Sequence, residues 1–137
     1  LTGTYTVFGS TAPILVDANG ISQTMGAAND VIGILAFNFA TTNFTYGLTV
    51  KTVGESFILA GGGNVSAGNP TFFSNNSQSG VISLGATCSN GGCSPGLQAN
   101  RLVQGAFFGP KGERIGLQYG FDVQSLSGTV YGTVVLK

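Results

Sequence analysis

The sequence predicts an all-β chain: a single antiparallel β-barrel of roughly eight to ten strands over residues 1–137, with a β-sandwich as the alternative. Three observations predict it. Apolar and polar residues alternate at period 2 through much of the chain, the pattern of a strand with one buried and one wet face. Turn residues interrupt that pattern at short, regular spacing, as in barrels and sandwiches. Glycines also recur inside the strand patterns, at Gly33, Gly47, Gly80, Gly105, Gly116, Gly120 and Gly132. A glycine within a strand marks a bulge, a bend or a close backbone approach. Repeated across most strands, it favours a coiled sheet closed into a small barrel over an open sandwich.

The elements follow in order. Residues 1–9 alternate Tyr5 and Val7 against Thr4, Thr6 and Phe8, and read as a first strand. Residues 12–17 are a short apolar run that ends at Asn19-Gly20, a strong hairpin signal, and residues 21–25 continue that hairpin. Residues 26–30 read as a loop of small residues. Residues 31–40 and 44–52 form the next pair, with Leu35, Phe37 and Phe39 in one alternation and Phe44, Tyr46, Leu48 and Val50 in the other. Their short connector makes them adjacent antiparallel strands. Residues 56–60 read as another strand, ended by Gly61-Gly62-Gly63-Asn64.

Residues 61–79 form the longest irregular stretch, rich in Gly, Asn and Ser, with Phe72 and Phe73 folding it back on the body. Long loops in compact domains are functional or disordered. Residues 79–87 read as a strand and residues 88–98 as a second loop. Residues 98–103 are the best helix candidate and read equally well as a loop entering a strand.

Residues 101–121 hold the clearest pattern. Ile115, Leu117, Tyr119, Phe121 and Val123 fall on one face, and Arg114, Gly116, Gln118, Gly120 and Asp122 on the other. Before them Leu102, Gln104, Ala106 and Phe108 oppose Val103, Gly105 and Phe107. Gly109-Pro110-Lys111-Gly112-Glu113 joins the two strands: proline presets a turn φ and glycine accepts positive φ. Adjacent phenylalanines on one strand cannot both face inward, so one of Phe107 and Phe108 is exposed or covered by a loop. Residues 128–136 close the chain, with Val130, Val134 and Leu136 on the inner face.

The length suits one domain. The chain is 42% hydrophobic but only 7% charged, with five basic and five acidic residues and a formal net charge of zero. That removes the basic footprint of a nucleic-acid binder and the polybasic cluster that a membrane surface attracts. An uncharged, polar surface repels itself weakly and favours association; extracellular β-proteins and assembly subunits share that composition. No apolar run reaches the roughly 20 residues of a membrane helix. Leu1 reads as the start either of a mature protein or of an excised domain.

Chemistry-bearing motifs are few. Cys88 and Cys93 enclose a glycine-containing loop and read as a disulfide, which points to periplasm, cell surface or outside. With no histidine, there is no Ser-His or Cys-His pair and no four-ligand zinc set. The carboxylates Asp17, Asp30, Glu55, Glu113 and Asp122 are scattered, without the facing pair of a glycosidase. The expectation is no enzyme and no cofactor. Three Asn-x-Ser/Thr matches, at Asn43, Asn64 and Asn75, are those an Asn- and Ser-rich chain gives by chance. Most of the aromatics read as core; Phe72, Phe73, Phe107 and Phe108 are the candidate interface residues, since exposed aromatics mark contact sites.

Residues 105–116, GAFFGPKGERIG, resemble the hairpin near the end of barrels of the transferrin-binding protein B type. Gly105, Phe107 (or Phe108), Gly109, Pro110, Glu113 and Gly116 match its pattern, while Gly112, Arg114 and Leu117 depart from it. That superfamily includes bacterial surface lipoproteins and the C-terminal barrels of some FecR-domain proteins. The resemblance implies a barrel on the bacterial surface; it marks the barrel and not a ligand, and no binding residue follows from it. The leading functional expectation is a non-enzymatic extracellular or periplasmic bacterial module that binds a protein partner or ligand through loops 61–79 and 88–100. A self-assembling structural subunit, in which residues 1–9 or 129–136 complete a neighbour's sheet, is the second reading. A lipocalin-like carrier of a small apolar ligand is the third.

Overall fold

A computed structural model describes residues 2–52, 55–65, 68, 71–75, 85–88, 102–123 and 128–137. For Glu55, residues 72–75 and 85–88, Leu102 and Val123 it describes the backbone alone. The strands are β1 (Thr2–Ser10), β2 (Ile14–Asp17), β3 (Ser22–Thr24), β4 (Val31–Asn38), β5 (Asn43–Thr52), β6 (Glu55–Asn64), β7 (Thr71–Asn75), β8 (Gly85–Cys88), β9 (Leu102–Phe108), β10 (Arg114–Val123) and β11 (Gly128–Leu136). Among the described residues there is no helix.

The strands form one antiparallel sheet in the order β7-β9-β10-β11-β1-β4-β5-β6-β8, with β2 on β11 and β3 on β2. The sheet curls until β7, at one end of the path, comes close to β6, the last strand but one at the other end, and so takes the shape of a barrel wall. β1 and β11 lie side by side in the middle of this path, so first and last strands are both interior to the sheet.

The inward rows follow from the pairing. Phe107, Ile115, Leu136 and Val7 line up across β9, β10, β11 and β1. Tyr5, Leu35 and Tyr46 line up across β1, β4 and β5. These rows and their neighbours build one core that includes Val31, Phe44, Leu48, Val50, Phe57, Tyr119, Phe121 and Val130. Each large apolar side chain fully buried there contributes about 1.5–3 kcal/mol. The core is aromatic in part: Phe57 packs at 5.1 Å on Phe121, which stacks at 6.3 Å on Tyr119.

Three expectations are corrected. The run Gly61-Gly62-Gly63-Asn64 does not end a strand; it belongs to β6 and pairs with β5 to Asn43↔Asn64. Gly61 stands opposite Tyr46 and Gly63 opposite Phe44, and a Cβ on Gly62 would collide with the Phe44 carbonyl oxygen. Glycine is used there because the strands approach closely beside two large rings. Phe72 and Phe73 do not sit in a loop; they lie in β7, paired with Gly105 and Gln104 of β9. The third correction concerns strand complementation by the chain ends, since β1 and β11 already have ladder partners on both sides. Of the strand expected over residues 79–87, only 85–87 are described; residues 81–84 and most of 98–103 lie outside the described residues.

Candidate binding surface at the hairpin end

One end of the barrel gathers the tip of the β9–β10 hairpin, the 39–42 turn and the stretch that leaves β6. The tip is the five-residue loop between Phe108 and Arg114, which face each other across the ladder. Gly109 has φ +93° and Gly112 φ +64°, both left-handed, and the Gly112 N–H donates to the Gly109 carbonyl at 3.1 Å. The Glu113 carboxylate folds back over this turn and accepts the Lys111 N–H at 2.9 Å. A Cβ on Gly109 would stand 2.6 Å from the carboxylate carbon and both oxygens, so this position needs glycine for conformation and for space. Backbone N–H groups of Glu113 itself and of Lys111, and then the Arg114 charge, hold the Glu113 carboxyl below its ordinary value.

The hairpin is tied to the first strand. The Tyr5 hydroxyl donates to the Gly112 carbonyl at 3.0 Å. Burial, and then the Glu113 charge, push that hydroxyl above its ordinary value. Phe107 points inward, edge-on to Tyr5 at 5.9 Å and to Phe37 at 5.0 Å. Phe108 points outward, 42% exposed, and its ring lies near Gly116. The two phenylalanines thus divide between core and surface, as adjacent residues on a strand must.

The 39–42 turn completes this end. Asn38 Oδ1 accepts the N–H groups of Ala40 and Thr41, and the Val65 N–H donates to the Thr42 carbonyl. Thr42 has φ +59°, an uncommon conformation for a β-branched residue. Phe39 lies beside Phe37 at 4.8 Å and over Gly3, yet remains 45% exposed. An exposed ring on a rigid base, next to the threonines of the 39–42 turn, can hold a protein surface by apolar contact with polar edges. Phe39 entered the sequence reading only as a member of a strand. Its place at the rim, one residue past β4, is what exposes it.

Of the other sequence candidates, Gly105 pairs with Leu117 inside the hairpin and Gly116 with Ala106. Pro110 is exposed in the tip. The side chains of Phe72 and Phe73 lie outside the described residues. So does the Cys88–Cys93 disulfide: Cys88 ends β8 opposite Phe57, and Cys93 is not among the described residues. The binding loop expected over 88–100 also falls outside, apart from Cys88. Among the described residues no three His, Cys, Asp or Glu side chains gather as a metal site, and no helix is long and apolar enough to cross a membrane.

No family model matches the chain. No curated protein matches it either. Solved structures do. A double mutant of the vaccine antigen transferrin-binding protein B from Haemophilus parasuis superposes with a TM-score of 0.51 over 100% of this chain, at 18% identity. The fold is one that transferrin-binding protein B also uses. The isotype 1 protein from serogroup B Neisseria meningitidis gives a TM-score of 0.52 over 99% of the chain, at 16% identity. This chain spans 26% of the length of each of those proteins. At such identity the likeness is one of fold.

Proposed function

We propose that this chain is a non-enzymatic β-barrel module of the bacterial surface or periplasm that binds a protein partner. We place the contact at the hairpin end, around Phe39, Lys111 and Glu113. The observation that carries this reading is the exposed Phe39 ring, seated on Phe37 at the end of the barrel where the hairpin tip is fixed by the Tyr5–Gly112 hydrogen bond and the Glu113–Lys111 contact. Such pre-organisation lowers the ordering cost of association. The likeness to proteins named for binding transferrin supports a protein partner and makes transferrin the first candidate to try. The interior speaks against the small-ligand carrier, because the inward side chains of the described strands pack on one another into one core.

The test is to purify the chain from its host and examine it by native mass spectrometry, alone and with transferrin. An unloaded chain that forms a stoichiometric complex supports the module. A chain that carries an extractable apolar molecule and captures no protein sinks it in favour of the carrier.

A further inference from the structure

On the outer side of β10 two aromatic rings rest on two glycines, with a pair of bonded amides between them. Arg114, Gly116, Gln118, Gly120 and Asp122 point outward, since Ile115, Leu117, Tyr119 and Phe121 between them are buried. The Tyr131 ring of β11 lies over its direct partner Gly120, where a Cβ would stand 3.0 Å from both Cδ1 and Cε1 of the ring. The Phe108 ring of β9 reaches Gly116, where a Cβ would stand 3.6 Å from its Cε1. Both rings are 42% exposed. A step of four residues along one strand separates the two glycines by about 14 Å. The row between them is polar and uncharged. Gln104, Gln118 and Thr133 lie side by side across β9, β10 and β11, and the Thr11 hydroxyl accepts the Thr133 N–H at 3.0 Å. Gln104 Nε2 donates to Gln118 Oε1 at 2.7 Å. That bond leaves Gln104 its own acceptor oxygen and Gln118 its amino donors. On β10 the charges stand only at the two ends of this face, Arg114 beyond Gly116 and Asp122 beyond Gly120.

We propose that this face binds a neutral oligosaccharide laid along β10. A sugar unit carries C–H groups on its faces and hydroxyls at its rim. The C–H groups are drawn to the negative face of an aromatic ring. Each hydroxyl both donates and accepts, which suits two linked amides that offer an acceptor on one side and donors on the other. Ring, amide pair, ring is the order such a chain needs, and the separation of the rings spans several sugar units rather than one. Gly116 and Gly120 give the rings room to rest on the backbone, so neither stands up to block a chain that crosses the face. The Tyr131–Gly120 contact and the Gln104–Gln118 bond hold ring and amides in place before a ligand arrives, which lowers the ordering cost of binding. One cation and one anion at opposite ends supply no net field to gather an anionic chain, so the ligand is neutral. An open face buries less of its ligand than a pocket does, and the binding is accordingly weak. The site is separate from the protein contact proposed around Phe39 and does not rest on it.

The experiment is a heteronuclear NMR titration of the whole chain with cellotetraose, mannotetraose, xylotetraose and chitotetraose in turn. At least one of them is expected to give saturable shifts at the side-chain amides of Gln104 and Gln118 and the backbone amides of Gly116 and Gly120. Tyr131→Thr and Phe108→Thr are each expected to weaken that binding roughly tenfold, as loss of a ring contact does. Threonine suits a strand, and circular dichroism checks that each variant folds. Gln118→Ala leaves both rings in place and is expected to weaken it as well, while Phe39→Ser leaves it unchanged. No saturable shift with any of the four sugars overturns the proposal. Saturable binding that the Tyr131 and Gln118 variants do not weaken overturns it too, since the sugar then lies elsewhere. Shifts at these amides that only a protein partner produces overturn it in favour of a second protein contact.

Discussion

The Tyr119 ring lies over Gly132, its direct partner across β10 and β11, and the buried Tyr119 hydroxyl has no hydrogen-bond partner among the described residues. A Cβ on Gly132 would collide with that hydroxyl. The glycine is therefore the space in which the tyrosine fits. A buried hydroxyl left unpaired costs about 1–3 kcal/mol. Tyr119→Phe keeps the ring stacked on Phe121 and is expected to raise stability by roughly 1 kcal/mol, read as a higher urea midpoint. A loss of stability would mean that the hydroxyl has an occupant to bond. Gly132→Ala is expected to destabilise by about 1–3 kcal/mol through overpacking, and by less in a Tyr119→Phe background.

Alkaline pH tests the same residue together with Tyr5. Both hydroxyls have folded values above their ordinary 10.0, Tyr119 by burial, Tyr5 by burial and then by the Glu113 charge. A raised value means that the neutral form is favoured in the fold. Their contribution is therefore present below pH 10 and lost as pH rises beyond it. The urea midpoint is expected to fall from about pH 10 upward. A Tyr5→Phe/Tyr119→Phe variant is expected to fall less steeply over the same range; equal slopes would refute the assignment.

The hairpin tip should respond to acid. Glu113 has a folded value below its ordinary 4.5, so its contact with the Lys111 N–H holds above pH 4.5 and is lost as pH falls further. The Lys111 amide proton is expected to titrate upfield below that pH in the wild type and to stay flat in Glu113→Gln. Gly109→Ala is expected to cost roughly 1–2 kcal/mol, because its left-handed backbone disfavours a side chain. Glu113→Ala should return part of that loss by removing the carboxylate from the path of the new methyl group.

How far these features are legible in the sequence depends on what side chains report. The strands 102–108 and 114–123 show in the sequence because Ile115, Leu117, Tyr119 and Phe121 alternate with polar or glycine neighbours. The end of β6 does not, since Gly61, Gly62 and Gly63 have no side chains to carry a period. Only their partners Phe44 and Tyr46 explain them. Phe72 and Phe73 hid β7 because the stretch around them is rich in turn residues. The wet face of β4 is hidden for the opposite reason: Val31 and Leu35 are buried and Ile32 and Ile34 exposed, yet all four are apolar, so alternation cannot say which face is wet. The likeness of residues 105–116 to a barrel hairpin agrees with the fold of the solved transferrin-binding proteins, although the contact residues do not follow from it.

The 39–42 turn offers a gain of stability. Thr42 sits at φ +59°, where an L-residue is disfavoured by roughly 1–2 kcal/mol. Thr42→Gly relieves this at some cost in unfolded-chain entropy, for an expected net gain of about 0.5–1 kcal/mol in chemical denaturation. A net loss would mean that the Thr42 side chain, whose hydroxyl lies 2.7 Å from the Thr41 carbonyl, contributes more than its backbone costs.

The most direct test of the binding module is surface plasmon resonance of the intact chain against a panel of purified serum proteins that includes transferrin. One saturable partner is expected, weakened at least tenfold by Phe39→Ser with Lys111→Glu and unchanged by Ile21→Thr. A saturable partner held equally by wild type and the Phe39/Lys111 variant, or no partner at all, would contradict a contact at the hairpin end.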